Sequence, residues 1–341
     1  MIKTLIVEDS GLMRMRISDV LRSAGIVEIV GTAKNGDEGL KAIKLKRPDV
    51  VITDMVMPDY DGLYLVKNAM KESPVPIIVL SSLDRKSAQV FEALSSGAFE
   101  FLDKPRSQRG LGFNKPLIDL VKTAAGVDTD SLKSTGAVRN HLEHTFDSLL
   151  TYEVVAVGAS TGGPSAIEVF LKGLPANFPV PIVIAQHMPQ RFIESFAQRL
   201  DTYTNLKVKT AEIGETLRPG HIYLCSGEYN TEVVPDHGNG RPIFAKKQRK
   251  YKEFNHPSVD CMFDSVAEYY KNKAIAVILT GMGKDGMEGI VKIKKAGGLT
   301  IAQNEKSCVV YGMPKAAVDA KAADYVVHID ELPGFVTSCF C

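Results

Sequence analysis

Val50-Val51-Ile52-Thr53-Asp54-Met55-Val56-Met57-Pro58 decides how the first third of the chain is read. Its first four residues are β-branched, the composition of a short strand buried on both faces of a parallel sheet. The run then stops at a carboxylate, Asp54. Residues 4–7 and 76–80 are runs of the same kind, ending at Glu8-Asp9 and Ser81, and Lys104-Pro105 lies just past a further one. Between the runs, Met13, Ile17, Val20, Leu21 and Ala24 recur at the spacing of one helix face. Strand and helix alternate, which predicts a doubly wound α/β fold.

Ligands of such sheets bind outside the carboxyl ends of the strands, where Glu8, Asp9, Asp54, Ser81 and Lys104 all fall. Clustered carboxylate oxygens suit Mg²⁺, which bridges a phosphate to the carboxylates during in-line transfer. Lys104 is placed to grip phosphoryl oxygens as a point charge and Ser81 to hydrogen-bond one of them. Helix capping near Ser10 accounts for Glu8 or Asp9 taken singly. It does not account for all five residues at strand ends, so the first third is expected to be a phosphoryl-accepting switch.

On these residues, positions 1–124 resemble a response-regulator receiver domain. The resemblance implies a five-stranded parallel sheet, Asp54 as phosphoacceptor, Glu8 and Asp9 as the acidic pair, and Ser81 as the hydroxyl switch. It also implies Phe101 as the switch aromatic, Lys104 as the family's lysine, the Val56 carbonyl as a further Mg²⁺ ligand, and a cis bond at Lys104-Pro105.

At 341 residues the chain exceeds one typical domain. Its 41 basic and 40 acidic residues nearly cancel, so nothing advertises nucleic acid or a membrane surface as partner. No apolar run reaches the ~18 residues of a membrane span. The N-terminus enters a strand directly, with no room for a signal peptide. The five cysteines, Cys225, Cys261, Cys308, Cys339 and Cys341, have no paired CxxC spacing, which fits a cytoplasmic protein. Cys339 and Cys341 read as part of an untidy tail. Residues 125–150 are turn-prone and polar at first, a linker, with a short helix expected from His141 to Leu150; His141 and His144 lack a third metal ligand. About 26 flexible residues would span roughly 28 Å root-mean-square.

A second α/β pattern occupies residues 151–341, expected as a mostly parallel sheet. Val154-Val155-Ala156-Val157 leads into Gly158-Ala159-Ser160-Thr161-Gly162-Gly163-Pro164. Pro181-Ile182-Val183-Ile184-Ala185 leads into Gln186-His187-Met188-Pro189, and residues 274–279 lead into Thr280-Gly281-Met282-Gly283-Lys284-Asp285-Gly286. Three strand ends thus deliver a nucleophile, a base and an orienting carboxylate: Ser160, His187 and Asp285. Serine is a poor nucleophile unless an imidazole accepts its proton, and the imidazole needs a carboxylate to fix its tautomer. The helix after Ser160 offers unpaired N–H donors to an oxyanion, Thr161 among them, and the loop at 281–283 offers another.

Each assignment has a competitor. Gly158-x-Ser160-x-Gly162 is short enough to recur by chance or to serve as a phosphate-binding turn. His256, ahead of Pro257-Ser258-Val259-Asp260, rivals His187, whereas His221, His237 and His328 read as strand or turn residues. Asp285 is equally suited to cap the helix after Gly286, with Asp260 or Asp264 as orienter. The order Ser, His, Asp is not that of an α/β-hydrolase. A dinucleotide site lacks its middle glycine.

Joined to the receiver pattern, this half is similar throughout to the chemotaxis response-regulator protein-glutamate methylesterases. The match is carried by residues 158–164, 185–189, His-Pro-Ser-Val-Asp at 256–260, 279–286 and Ser-Cys-Val-Val-Tyr-Gly-Met-Pro at 307–314. The resemblance implies the trio Ser160, His187 and Asp285, and Met282 as an oxyanion donor. It implies demethylation of glutamate methyl esters on methyl-accepting chemoreceptors, with glutamine deamidation beside it and no cofactor for the esterase step. It also implies a chemotaxis histidine kinase as phosphodonor, and an unphosphorylated receiver that inhibits catalysis. A DNA-binding output is disfavoured by the neutral charge and the α/β pattern; a non-enzymatic scaffold would need no triad.

Overall fold

The computed structural model describes residues 1–81, 87–105, 112–127, 129, 152–247 and 256–340. The chain divides into two compact units, Met1–Thr135 and Gly136–Cys341. The helix expected at 141–150, the His141 and His144 pair and most of the 125–150 linker lie outside the described residues.

In the first unit, strands β1 (Ile2–Val7), β2 (Val27–Ala33), β3 (Val50–Asp54), β4 (Ile77–Ser81) and β5 (Glu100–Asp103) alternate with helices. The helices are α1 (Gly11–Ser23), α2 (Gly36–Lys46), α3 (Gly62–Glu72), α4 (Ser87–Ser95) and α5 (Asn114–Ala124). The five strands are all parallel, in the order β2-β1-β3-β4-β5. Every residue of β3 and β4 is buried, as their continuous apolar runs require. Helix α1 starts at Ser10, whose hydroxyl accepts the Met13 N–H, and it buries Ile17, Val20 and Leu21. Truncating one such core side chain to alanine costs about 2–5 kcal/mol.

The second unit runs β6 (Val154–Ala159), α6 (Gly163–Lys172), β7 (Ile182–Gln186), α7 (Gln190–Asp201), β8 (Lys207–Thr210) and β9 (His221–Leu224). After the hairpin β10 (Asn230–Pro235) and β11 (Pro242–Lys247) come α8 (Val259–Tyr270), β12 (Ala274–Ile278), α9 (Met287–Lys295) and β13 (Leu299–Gln303). The chain closes with α10 (Met313–Asp319), β14 (Tyr325–Val327) and α11 (Leu332–Ser338). Seven parallel strands form one sheet, β14-β13-β12-β6-β7-β9-β8. The doubly wound fold class expected for both units is the one observed.

The three strands read from sequence lie side by side as β12, β6 and β7 at the sheet centre. Gly158 is in register with Ile278 on one side and Ala185 on the other, so the three following loops emerge at one edge. Winding goes one way from β6 to β7, while β12, β13 and β14 fill the other side. That reversal makes the β6/β12 edge a topological switch point, where ligands bind in open α/β sheets.

The untidy-tail reading is corrected: α11 buries Leu332, Phe335 and Val336, and Cys339 is buried behind it. Phe340 packs edge-on against Phe178 at 5.2 Å and Tyr152 at 6.3 Å. A seven-residue helix is shorter than the window over which helical period can be read. Cys225, Cys261, Cys308 and Cys339 are all buried thiols outside any disulfide. Among the described residues no helix is long and apolar enough to cross a membrane.

Candidate active sites

The carboxyl ends of β1, β3 and β5 in the first unit bring Glu8, Asp54 and Lys104 together. Lys104 Nζ lies 2.7 Å from Glu8 Oε2 and 2.7 Å from Asp54 Oδ2. One oxygen from each of Glu8, Asp9 and Asp54 falls within 4.8 Å of the others, with Asp9 exposed. Burial pushes the carboxyl groups of Glu8 and Asp54 above their ordinary values, against the hydrogen bond and charge of Lys104. Three carboxylates and one lysine leave the cluster short of positive charge. A hard divalent cation would supply it, so the donor set fits Mg²⁺.

Val56 is tied to this cluster by its N–H, which donates to Asp54 Oδ1 at 3.2 Å. Ser81 is buried at the end of β4, its carbonyl accepting the Lys104 N–H at 3.0 Å, and Phe101 is buried one strand over. The cis bond expected at Lys104-Pro105 is corrected: the cis peptide among the described residues is His256-Pro257. From a trans bond, the ordinary form for X–Pro, Lys104 already reaches both carboxylates. Sequence reasoning missed Arg14, whose Nη1 donates to the Asp9 carbonyl at 2.9 Å and steadies the acidic turn; its place on α1 carried no signal.

In the second unit Ser160, His187 and Asp285 converge. His187 Nδ1 lies 3.1 Å from Ser160 Oγ, and His187 Nε2 lies 2.7 Å from Asp285 Oδ2. A carboxylate only accepts, so Nε2 carries the proton and Nδ1 is left to accept from the serine hydroxyl. The ring is therefore used the other way round from the common serine triad, in which Nε2 faces the serine. The loops are pinned by main-chain bonds from Ser160 N to the Thr280 carbonyl, 3.1 Å, and from His187 N to the Ala159 carbonyl, 3.1 Å.

Asp285 does cap a helix, though not the one after it. Its Oδ2 accepts the Val259 N–H at 2.8 Å, and its Oδ1 accepts the Asp260 N–H at 2.9 Å and the Ser258 hydroxyl at 3.2 Å. These are the free donors at the start of α8. Burial works to raise the Asp285 carboxyl, but the His187 bond and charge, with the two N–H groups, outweigh it and hold it below its ordinary value. Asp260 returns the arrangement, accepting the Gly289 N–H at 2.7 Å in the first turn of α9. Burial, with the charges of Asp285 and Glu288 and against that N–H, pushes Asp260 up to about 7.

The rival residues are placed elsewhere. His256 Nδ1 pairs with Asn230 Oδ1 at 3.1 Å, and Asp264 pairs with Lys292. His221 faces the Pro219 carbonyl at 3.0 Å, and His328 sits 3.6 Å from Asp330. Thr161 is buried, and its N–H donates to no partner among the described residues. Met282 is 37% exposed on the loop beyond Gly281, where a Cβ would come 2.8 Å from the Ser160 Cβ. Thr280 and Gln186 escaped the sequence reading. The Thr280 hydroxyl lies 3.0 Å from the Thr161 carbonyl and accepts the Val310 N–H at 2.9 Å. The one available signal was a polar residue ending an otherwise apolar buried strand.

Fold and site together define a class: an α/β unit with clustered carboxylates and a lysine at its strand ends, joined to an α/β unit bearing a serine, imidazole and carboxylate at its switch point. The response regulator receiver domain model matches residues 4–112, and the CheB methylesterase model matches residues 155–336. The protein-glutamate methylesterase/protein-glutamine glutaminase of Thermotoga maritima is 40% identical over 337 residues, covering 97% of this chain and 96% of the relative. That of Halalkalibacterium halodurans is 38% identical over 332 residues, covering 96% and 95%. The crystal structure of the Thermotoga maritima CheB methylesterase catalytic domain matches with 42% identity and a TM-score of 0.53, over 56% of this chain and all of that one. The chain belongs to the CheB methylesterase family, with a response-regulator receiver domain at its N-terminus.

Proposed function

We propose that this chain is a phosphorylation-regulated protein-glutamate methylesterase that also deamidates glutamine, with receiver 1–124, linker 125–150 and catalytic domain 151–341. Its substrates are methyl-accepting chemoreceptors, its phosphodonor a chemotaxis histidine kinase, and its output chemotactic adaptation. The observation that carries the reading is the Ser160–His187–Asp285 chain of contacts at 3.1 and 2.7 Å.

His187 Nδ1 takes the Ser160 proton as Oγ attacks the glutamyl γ-carbonyl, and Asp285 stabilises the imidazolium that forms. The N–H groups of Thr161 and Met282 receive the oxyanion. The imidazolium then gives its proton to the departing oxygen, methanol leaves, and an acyl ester on Ser160 remains. Water, deprotonated by the same nitrogen, resolves the ester to free carboxylate and serine. With glutamine, ammonia leaves instead. Asp285 is already charged and oriented in the resting state, so none of its stabilisation has to be assembled during attack.

In the receiver, Asp54 accepts the phosphoryl group, with Lys104 on its oxygens and Ser81 and Phe101 reporting its arrival. Glu8, Asp9, Asp54 and the Val56 carbonyl would hold Mg²⁺, which when bound neutralises phosphoryl charge during transfer. The test is a serine-directed phosphonate on the full-length chain, read by mass spectrometry, beside methanol release from methylated receptor. One adduct on Ser160 is expected, with loss of both signals in Ser160→Ala. An adduct elsewhere, or unchanged turnover in folded Ser160→Ala, would overturn the assignment.

A further inference from the structure

Gln186 is the last residue of β7, in register with Ala159 at the end of β6, and only 2% exposed. Its Nε2 donates to the Ser160 carbonyl at 3.0 Å and to the His187 carbonyl at 3.1 Å. One amide thus ties together the main chains of the two residues whose side chains meet at 3.1 Å. Both partners are carbonyls, which only accept, so the orientation of the amide is decided by them. The Ser160 carbonyl also accepts the Gly163 N–H at 2.7 Å and is held from two sides.

The other end of the amide is informative in a different way. Gln186 Oε1 is buried with no hydrogen-bond partner among the described residues. It fills the space at Gly163 where a Cβ would stand, 2.0 Å away. Any side chain at 163 would displace the wedge. The rest of the strand, residues 182–185, is apolar and wholly buried. For sheet stability a methionine or leucine would fill position 186 without leaving a buried oxygen unpaired. What the amide alone supplies is two directed donors.

We infer that Gln186 is a positioning residue, locking the Ser160 and His187 main chains in register so that hydroxyl and imidazole meet. The inference rests on the reading of the Ser160, His187 and Asp285 trio given above. Gln186 touches no reacting atom; it acts through the two loops. Without it both carbonyls lose a donor and the turns drift apart, and a misplacement of about 1 Å costs on the order of 100-fold in rate.

The experiment uses the full-length chain and reads the phosphonate labelling rate of Ser160 together with kcat and KM on methylated receptor. Gln186→Met should lower labelling and kcat in parallel, by about 10–100-fold, with KM within about twofold. Gln186→Glu sets a carboxylate against two carbonyls at high pH. At lower pH the protonated acid donates to one of them again, so its rate relative to wild type should climb as pH falls. Phe244→Leu, a core change on β11, serves as the control for destabilisation and should leave the rates alone. The inference is overturned by a folded Gln186→Met with rates within twofold of wild type, by a loss confined to KM, or by a pH-independent ratio for Gln186→Glu. If neither variant folds, the residue is structural and the inference falls. Failure of the wild-type chain to label at Ser160 would instead overturn the catalytic reading beneath it.

Discussion

The two units set buried carboxylates at the carboxyl ends of parallel strands and treat them in opposite ways. Around Asp54 the neighbours are other acids, Glu8 and Asp9, with a single lysine between them, and burial pushes Asp54 and Glu8 upward. Around Asp285 the neighbours are donors, and its carboxyl is held down against its burial by His187 and the start of α8. The first site is short of positive charge, and its donor set fits a divalent cation. The second already has its partners, an imidazole and two main-chain N–H groups. The same strand-end geometry therefore raises or lowers a buried carboxyl depending on whether acids or N–H groups face it; on the function proposed above, the first is a switch and the second a part of a catalyst.

The sharpest way to break this comparison is to remove one charge from each site. Asp285→Asn should lower ester turnover by about 10⁴-fold, because an amide cannot hold the Nε2–H tautomer of His187. Asp54→Asn should leave the turnover of the unphosphorylated chain unchanged within about twofold. A loss below tenfold at Asp285 would show that the carboxylate does not orient the imidazole.

A smaller effect tests the coupling between the units. Acetyl phosphate with Mg²⁺ should raise esterase activity, by about 5–150-fold if the coupling is of ordinary size, and Asp54→Asn should abolish the response. If the unphosphorylated receiver inhibits catalysis, phosphorylation can only shift the equilibrium between inhibited and active forms, whereas deletion removes the inhibited form. A chain beginning near Leu150 should accordingly be at least as active as the phosphorylated protein. If it is no faster than the unphosphorylated full-length chain, the receiver acts by positive contact or recruitment.

Cation binding sharpens the contrast further. Mg²⁺ at about 100 times its dissociation constant should stabilise the receiver by roughly 2.7 kcal/mol, seen as a rise of several degrees in its melting transition. Glu8→Gln should remove most of that rise, and Asp285→Asn none of it. Equal stabilisation of both variants would place the cation elsewhere.

A last effect concerns Asp260. Its folded value of about 7 lies above its ordinary 3.8, so between those pH values the folded chain keeps a proton that the unfolded chain releases. Its contribution to stability is therefore full near pH 4 and lost as pH rises toward 7. Asp285 has the opposite sign, contributing above 3.8 and losing that contribution as pH falls. Asp260→Asn should gain stability relative to wild type between pH 4.5 and pH 8 in denaturant titrations. A difference independent of pH would show that Asp260 is ionised throughout.

Much of this was legible in the chain. Runs such as Val50-Val51-Ile52-Thr53 and Val154-Val155-Ala156-Val157 announce buried parallel strands by composition, and a polar residue just past such a run must face the ligand edge. That rule singled out Asp54, Ser160, His187 and Asp285, of which the last three meet in the structure. It could not choose between His187 and His256, because both are histidines beside turn signals and spacing carries no distance.

The sequence by itself determined which residues stand at strand ends, since burial period and strand composition are local properties of a few consecutive residues. Only the tertiary structure decided what each of them faces. Asp285 lies 25 positions from Asp260, and its capping of α8 depends on that helix packing beside the β12 loop. Glu8 meets Lys104 across 96 positions because β1 and β5 end at one edge. The ring nitrogen that Ser160 meets, and the amide of Gln186 that holds the two loops, follow from the β6–β7 register. Hydrogen-bond direction is set by atoms within about 3 Å of one another, and folding brings those atoms together from segments whose separation along the chain leaves no local trace.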